Sequence, residues 1–280
     1  MLRCCSYCQN FMGQTPPFEN YCLTHSICET CRPAIRTNTM DMDRARSRSE
    51  LFHDLWDQAR AFNHRAIPEL LKRAVQLGLK NSDLLFGMAA PQLREIGRMF
   101  EGGILSVEAE HEFTAFMEAA IHCCQVAVIQ EEPPKDQTGG VLLACADGNY
   151  HTLGVRMLRI ALAERGVLTR VQYPSLPLGD MRNLIERYQP AVIGVSLGLP
   201  AQIVWLQALK HTIDLMVREG GLPSPVLVAG GSGWIRASHS VKDIVTIDWN
   251  LPDYEKMICQ IYEIVAASGR SASISLENAA

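Results

Sequence analysis

Apolar positions recur along the chain with two different periods, and the change falls near residue 140. From about residue 49 to 130 the spacing is helical. Leu51, Leu55, Ala59 and Phe62 fall on one face, as do Leu70, Leu71, Ala74, Val75 and Leu77. Asn81-Ser82-Asp83 is an N-cap signal ahead of a helix over 84–100. Gly102-Gly103 ends that helix, and Ser106 with Glu110 opens another that runs to about Gln130. Four helices in this span predict a small bundle.

From Val141 the pattern turns to short, wholly apolar runs that alternate with amphipathic ones. Strands are predicted over 141–146, 169–173, 191–197, 226–229 and 244–247. Helices follow over 153–165, 179–188, 201–218 and 252–268. Strands apolar on both faces belong in a parallel sheet covered by helices on either side. The predicted fold class is α/β: a four-helix bundle over 49–130, then a flavodoxin/Rossmann-like doubly wound sheet over 139–268. Residues 37–48, rich in charge, and 131–140, rich in Pro, Gly and charge, read as linkers. The tail from Gly269 is Ser/Ala-rich and is expected to fray.

Composition narrows the function. At 280 residues, 48% hydrophobic and 20% charged, the chain is ordinarily globular and long enough for two modest domains. A net charge of −4 argues against broad capture of nucleic acid, although a local basic face stays open. No apolar run approaches the roughly 20 residues of a membrane helix. Met1-Leu2-Arg3-Cys4 has no apolar stretch behind it, so no signal peptide and a cytoplasmic setting are expected. A homo-oligomer is compatible with this composition.

Six of the ten cysteines lie within the first 31 residues: Cys4, Cys5, Cys8, Cys22, Cys28 and Cys31. In a cytoplasmic chain that density indicates metal binding rather than disulfides. Cys5-Ser6-Tyr7-Cys8 and Cys28-Glu29-Thr30-Cys31 are paired knuckles with the spacing of a tetrahedral zinc site. The predicted zinc ligands are Cys5, Cys8, Cys28 and Cys31, in a head over 1–36. Cys4, Cys22 and His25 remain further candidates, and Cys5, Cys8, His25 and Cys28 would also fit zinc. An iron–sulfur cluster is the alternative occupant. Cys123, Cys124, Cys145 and Cys259 lie in apolar patterns and are expected to be buried.

The densest chemistry is Asn149-Tyr150-His151-Thr152-Leu153-Gly154, between the first predicted strand of the sheet and its helix. A histidine there sits at the carboxyl edge, where open α/β folds bind ligands. Its imidazole suits a metal, and Gly154 lets a large group approach the backbone. Two more segments fall on the same edge: Gly194-Val195-Ser196-Leu197-Gly198 and Ala229-Gly230-Gly231-Ser232-Gly233. In that order the three resemble cobalamin-binding domains, whose loop reads Asp-x-His-x-x-Gly. The resemblance implies that His151 is the lower axial ligand of cobalt. It gives Asn149 the histidine's other nitrogen, Ser196 the nucleotide tail, and Gly230 and Gly231 a slot for that tail. Asn149 departs from the family's Asp, and Gly198 stands where its Ser-x-Leu pattern has Leu. The loss of the Asp tilts the resemblance toward sensing members.

The helical segment carries a second resemblance. Gly97-Arg98-Met99-Phe100-Glu101-Gly102-Gly103 precedes Glu110-His111. This is similar to the cap bundle that precedes cobalamin domains, with its Gly-x-x-Trp-x-x-Gly segment and following Glu-His pair; Phe100 takes the aromatic place. The resemblance implies that Phe100, Glu101, Glu110 and His111 meet the upper face of the corrin. The head resembles a short cysteine module of bacterial sensor proteins, through Cys5 to Cys8, Phe18-Glu19-Asn20-Tyr21, and Thr24 to Cys31. Taken together, the resemblances imply a cobalamin-binding sensor or regulator, with light as the candidate signal and a signalling or transcriptional protein as partner. The cofactor would be adenosyl-, methyl- or hydroxocobalamin, beside zinc. The alternatives are a corrinoid methyl carrier for a methyltransferase system and a haem-binding or other tetrapyrrole-binding variant. No catalytic residue is assigned.

Overall fold

The computed structural model describes residues 2–5, 11–14, 23–26, 28–29, 39–129, 137–220, 223–236, 244–246 and 254–268. The chain divides into two compact units, Met1–Val126 and Ala127–Ala280.

The first unit opens with three short strands: β1 (Leu2–Cys5), β2 (Phe11–Gln14) and β3 (Leu23–Ser26). β1 is central, antiparallel to β2 and parallel to β3. The sequence pattern did not announce them, because four-residue strands carry too little alternation to read. Five helical stretches follow. α1 (Thr39–Arg60) starts inside the segment predicted as a linker. Its opening residues are mostly polar and charged, with no apolar stripe to detect. α2 is Ile67–Gln76.

The helix predicted over 84–100 is interrupted. It comprises α3 (Asn81–Leu84), a π-helical turn (Leu85–Ala89) and α4 (Ala90–Glu101). Pro91 accounts for the break. It has no N–H to donate, and its ring would clash with the carbonyl of Gly87 in a regular helix; a wider turn relieves both. α5 (Val107–Val128) begins where Ser106 Oγ accepts the Ala109 N–H at 3.1 Å, the predicted cap. Phe52, Ile96, Phe113, Phe116, Met117 and Ile121 are buried, and Trp56 packs edge-on to Phe113 with ring centres 5.2 Å apart.

The second unit is a five-stranded, all-parallel sheet. Its strands are β4 (Val141–Ala146), β5 (Thr169–Leu176), β6 (Val192–Ser196), β7 (Val226–Gly230) and β8 (Val245–Thr246). Their spatial order is β5-β4-β6-β7-β8. That is the flavodoxin-like order, with its switch point between β4 and β6. Helices α6 (Leu153–Ala163), α7 (Leu178–Tyr188), α8 (Ile203–Arg218), α9 (Ser232–Arg236) and α10 (Tyr254–Ala267) complete it. α9 is too short to show a period and was not expected. β5 runs past its predicted end through a cis Tyr173–Pro174 bond to Ser175, whose φ is 47°.

Alternation along the strands builds two faces. Leu142, Ala144, Ile193, Val195, Leu227 and Ala229 pack beneath Met181 and Ile185 of α7 and Leu206, Leu209 and Ile213 of α8. The opposite face, bearing Leu143, Gly194, Ser196, Val228 and Gly230, meets Val155 and Leu158 of α6. Cys124 and Cys145 are buried as expected, but Cys123 and Cys259 are exposed. Cys123 falls off the face of α5 that buries Ala120, Ile121 and Cys124, and Cys259 off the face of α10 that buries Ile258, Ile261 and Val265. Among the described residues no helix is long and apolar enough to cross a membrane.

Candidate functional site

In the second unit, three loops meet at the carboxyl edge of the sheet. The loop after β4 carries Asn149 and His151, the loop after β6 carries Gly198, and the turn after β7 carries Gly231 and leads into Ser232 of α9. Chains leaving β4 and β6 depart in opposite directions, so the crevice of the switch point opens between the first two loops.

Asn149 is the joint. It is only 1% exposed. Its Nδ2 donates to Ser196 O at 2.8 Å and to Ser196 Oγ at 3.3 Å. Its Oδ1 accepts the main-chain N–H of His151 at 3.0 Å. The resemblance gave Asn149 the ring of His151; the structure instead gives it the backbone of His151. The His151 side chain is exposed, and among the described residues its ring has no hydrogen-bond partner. The ring lies over Gly198, where a Cβ would come within 2.7 Å of His151 Cδ2 and 2.6 Å of Asn149 Oδ1. Gly198 is therefore the floor on which ring and amide rest. Gly154, in the first turn of α6, is half-buried.

Further contacts hold this loop, from residues that carry no motif. Ser175 Oγ donates to Asp147 Oδ1 at 2.8 Å and accepts the Gly148 N–H at 2.9 Å. The Ser175 N–H reaches Asn149 O at 3.1 Å. Gln202 Oε1 accepts the N–H groups of Gly198 and Leu199 at 2.8 and 3.0 Å, while its Nε2 donates to Asp147 O at 3.1 Å. Beneath, Cys145 Sγ points at His151 O at 3.8 Å. Burial pushes that thiol's pKa up to about 12, so it stays protonated and is no nucleophile at neutral pH. The only sequence signals for these supports were the turn chemistry around Pro174-Ser175 and a polar residue at the start of a helix.

Registered rows of residues cross the sheet below the loops. Cys145, Ser196 and Gly230 are paired in line, and Leu143, Gly194 and Val228 form the next row. Under α6, Leu143, Gly194, Ser196, Val228 and Gly230 of these rows meet Val155 and Leu158 across a narrow gap with about 10 Å³ of free space, no more than a single water needs. Ser196 and Gly230 face this gap. Gly231 does not. Its φ is +101°, and a Cβ there would stand 2.4 Å from Leu197 O. At Gly233 a Cβ would lie 2.5 Å from the Leu199 backbone. Both glycines let two loops touch, and the space they leave is filled by chain.

In the first unit, Phe100 and Glu101 occupy the last turn of α4. Phe100 is 40% exposed and so is not a core residue; Ile104 and Val107 beyond it are exposed as well. Glu110 Oε1 accepts from Thr114 Oγ1 at 2.8 Å, and Glu110 Oε2 lies 3.6 Å from Nε2 of the exposed His111. In the head, the Cys28 N–H donates to Cys5 Sγ at 3.4 Å. Cys8, Cys22 and Cys31 lie outside the described residues, and among the described ones no group of three or more metal-ligating side chains gathers.

Comparison with known proteins places a family on the helical segment. Residues 51–125 match the model of the B12 binding domain. No curated protein matches the chain. Among solved structures, the monomethylamine corrinoid protein of Methanosarcina barkeri superposes with a TM-score of 0.56. It is 17% identical, over 79% of this chain and 97% of that one, a likeness of fold. The methanol:cobalamin methyltransferase complex of the same organism gives a TM-score of 0.37 at 15% identity, covering 78% of this chain and 84% of that one. A cobalamin-binding protein of Desulfitobacterium hafniense DCB-2 gives 0.36 at 15% identity, covering 75% and 98%.

Proposed function

We propose that this chain binds cobalamin through His151 and works as a corrinoid protein that serves a separate methyltransferase. The observation that carries the reading is the setting of His151: an exposed imidazole, its ring without a partner among the described residues, at the switch point of the sheet and over a glycine floor. The B12 binding domain match on residues 51–125 supports the same cofactor. A corrinoid protein of shared fold supports the carrier role.

The residues present fit the group. A neutral imidazole is a suitable donor to cobalt. Gly154 would give the start of α6 low relief against a flat macrocycle, and Gly198 seats the His151 ring. The seam between α6 and Leu143, Gly194, Ser196 and Gly230 would have to part to admit the nucleotide tail, with the Ser196 hydroxyl as its polar contact. When bound, cobalt would supply the position that holds a methyl group in transit. His151 would hold the metal, and Asn149, Gln202 and Ser175 would keep the His151 loop in place. Phe100, with Glu101, Glu110 and His111, would offer an apolar ring and polar groups to the corrin's upper face. Four thiolates, Cys5, Cys8, Cys28 and Cys31, would hold zinc; the knuckle spacing and the Cys28 N–H aimed at Cys5 Sγ support this, and elemental analysis tests it.

A second reading, a light-responsive sensor acting on a protein partner, draws support from the exposed Phe100 and the cysteine-rich head. One experiment addresses both. The chain is loaded with hydroxo-, methyl- and adenosylcobalamin, and spectra are recorded in the dark and after illumination, with His151→Ala alongside. Loss of pigment or a shifted spectrum in the variant is expected. An unchanged spectrum and affinity would remove His151 as ligand. Light-dependent change in hydrodynamic size would favour the sensor; identical profiles would leave the carrier.

A further inference from the structure

We infer that Asn149 and Gly198 form a single seat that positions His151 through its main chain, and that this seat requires an amide rather than a carboxylate at position 149. The inference rests on the cobalamin reading only for the meaning of the His151 ring; the seat itself is a matter of hydrogen bonds within the protein.

The two ends of the Asn149 amide face opposite demands. Nδ2 meets a carbonyl, Ser196 O, at 2.8 Å; Oδ1 meets a donor, the His151 N–H, at 3.0 Å. No rotation of the amide satisfies both partners except the one observed, so its orientation is fixed by chemistry. A carboxylate would keep the His151 contact and bring a second oxygen against Ser196 O. The Ser196 hydroxyl, 3.3 Å from Nδ2, can turn to donate, but the carbonyl cannot. At 1% exposure Asn149 has no water to relieve that conflict.

Gly198 is bound to the same arrangement. A Cβ there would press on Asn149 Oδ1 at 2.6 Å and on His151 Cδ2 at 2.7 Å. The two places where the chain departs from the cobalamin-domain pattern thus bear on one another: the room that Gly198 leaves is taken by the Asn149 amide and the His151 ring. Residue 149 supports the loop and leaves the ring alone. Restoring the carboxylate should therefore weaken His151 placement here, opposite to what a ring-binding role predicts.

The test uses the full chain as wild type, N149D, N149A and G198A. Thermal unfolding without cofactor is followed from pH 5 to 8.5, and hydroxocobalamin spectra are recorded on the same samples. N149D should unfold about 10 °C below wild type at pH 8, the cost of a buried carboxylate facing a carbonyl. That deficit should shrink toward pH 5, where a protonated carboxyl can donate to Ser196 O. N149A should lose stability with no such pH dependence, and G198A should lower the fraction of imidazole-ligated pigment. N149D at wild-type stability at pH 8, or with an undiminished deficit or no folding at pH 5, would overturn the seat. If the wild type itself takes up no cobalamin, the cofactor reading fails, while the thermal comparison still decides the seat.

Discussion

Replacing Gln202 by methionine isolates the clamp between the loops that follow β4 and β6. The side chain is close to isosteric, so no cavity is created and only three hydrogen bonds are lost. Their costs differ. The Gly198 N–H, held at 2.8 Å, is buried and would stand unsatisfied, worth roughly 1–3 kcal/mol. The Leu199 N–H and the Asp147 carbonyl belong to exposed residues, so water can take over much of what the side chain gave. The sum is about 2–3 kcal/mol. For a unit of this size that lowers the unfolding midpoint by roughly 5–10 °C. Differential scanning calorimetry reads the midpoint, and amide exchange at Gly198 and Leu199 reads where the loss falls. The neighbouring bonds from Ser232 Oγ to Gly198 O, 3.0 Å, and from Gly233 N to Leu197 O, 2.9 Å, should survive. Faster exchange should therefore be confined to the two clamped amides. A midpoint within about 2 °C of wild type, or exchange raised equally across β6 and β7, would refute the reasoning.

Two glycines should separate by what their missing Cβ would strike. Gly231→Ala meets the Leu197 backbone at 2.4 Å with φ at +101°, and should cost about 3 kcal/mol or more; Gly194→Ala meets only the end of Leu143 at 2.6 Å, and should cost about 1 kcal/mol. Urea midpoints in the reverse order would show that the loop contact is not tight. In the first unit, Glu95 is buried on α4, near Gln92, and its Oε1 has no partner among the described residues. Burial raises its pKa above the ordinary carboxylate value against the opposing pull of Arg98. The folded state then holds a proton that the unfolded state gives up, so this contribution is complete below the unfolded pKa and is lost as pH rises through the folded one. Glu95→Gln should flatten that slope and raise the midpoint at pH 8 by a few degrees; an unchanged slope of midpoint against pH would show that Glu95 is not its source.

Period and punctuation were enough to place the elements of the sheet and the α/β class. Wholly apolar runs such as Val141–Ala146, short and flanked by Gly-rich segments, fit a strand covered on both faces. Glycine pairs and the Ser106 cap set helix ends through local backbone chemistry, which is written in a few neighbouring residues. The loop histidine was legible for the same reason: it follows a strand and precedes a helix. What the sequence alone left undetermined depends on partners distant in the chain. Asn149 reads as a ring-holding group until Ser196, 47 residues away, claims its amide. Gly231 reads as an opening until the Leu197 carbonyl fills it. Gln202 and Ser175 have no motif at all, because a clamp is defined by the two loops it joins. The π-turn before Pro91 and the outward-facing Cys123 and Cys259 likewise follow from how a helix is packed. Local sequence determines which way a chain is biased to run, and only packing determines which polar groups meet.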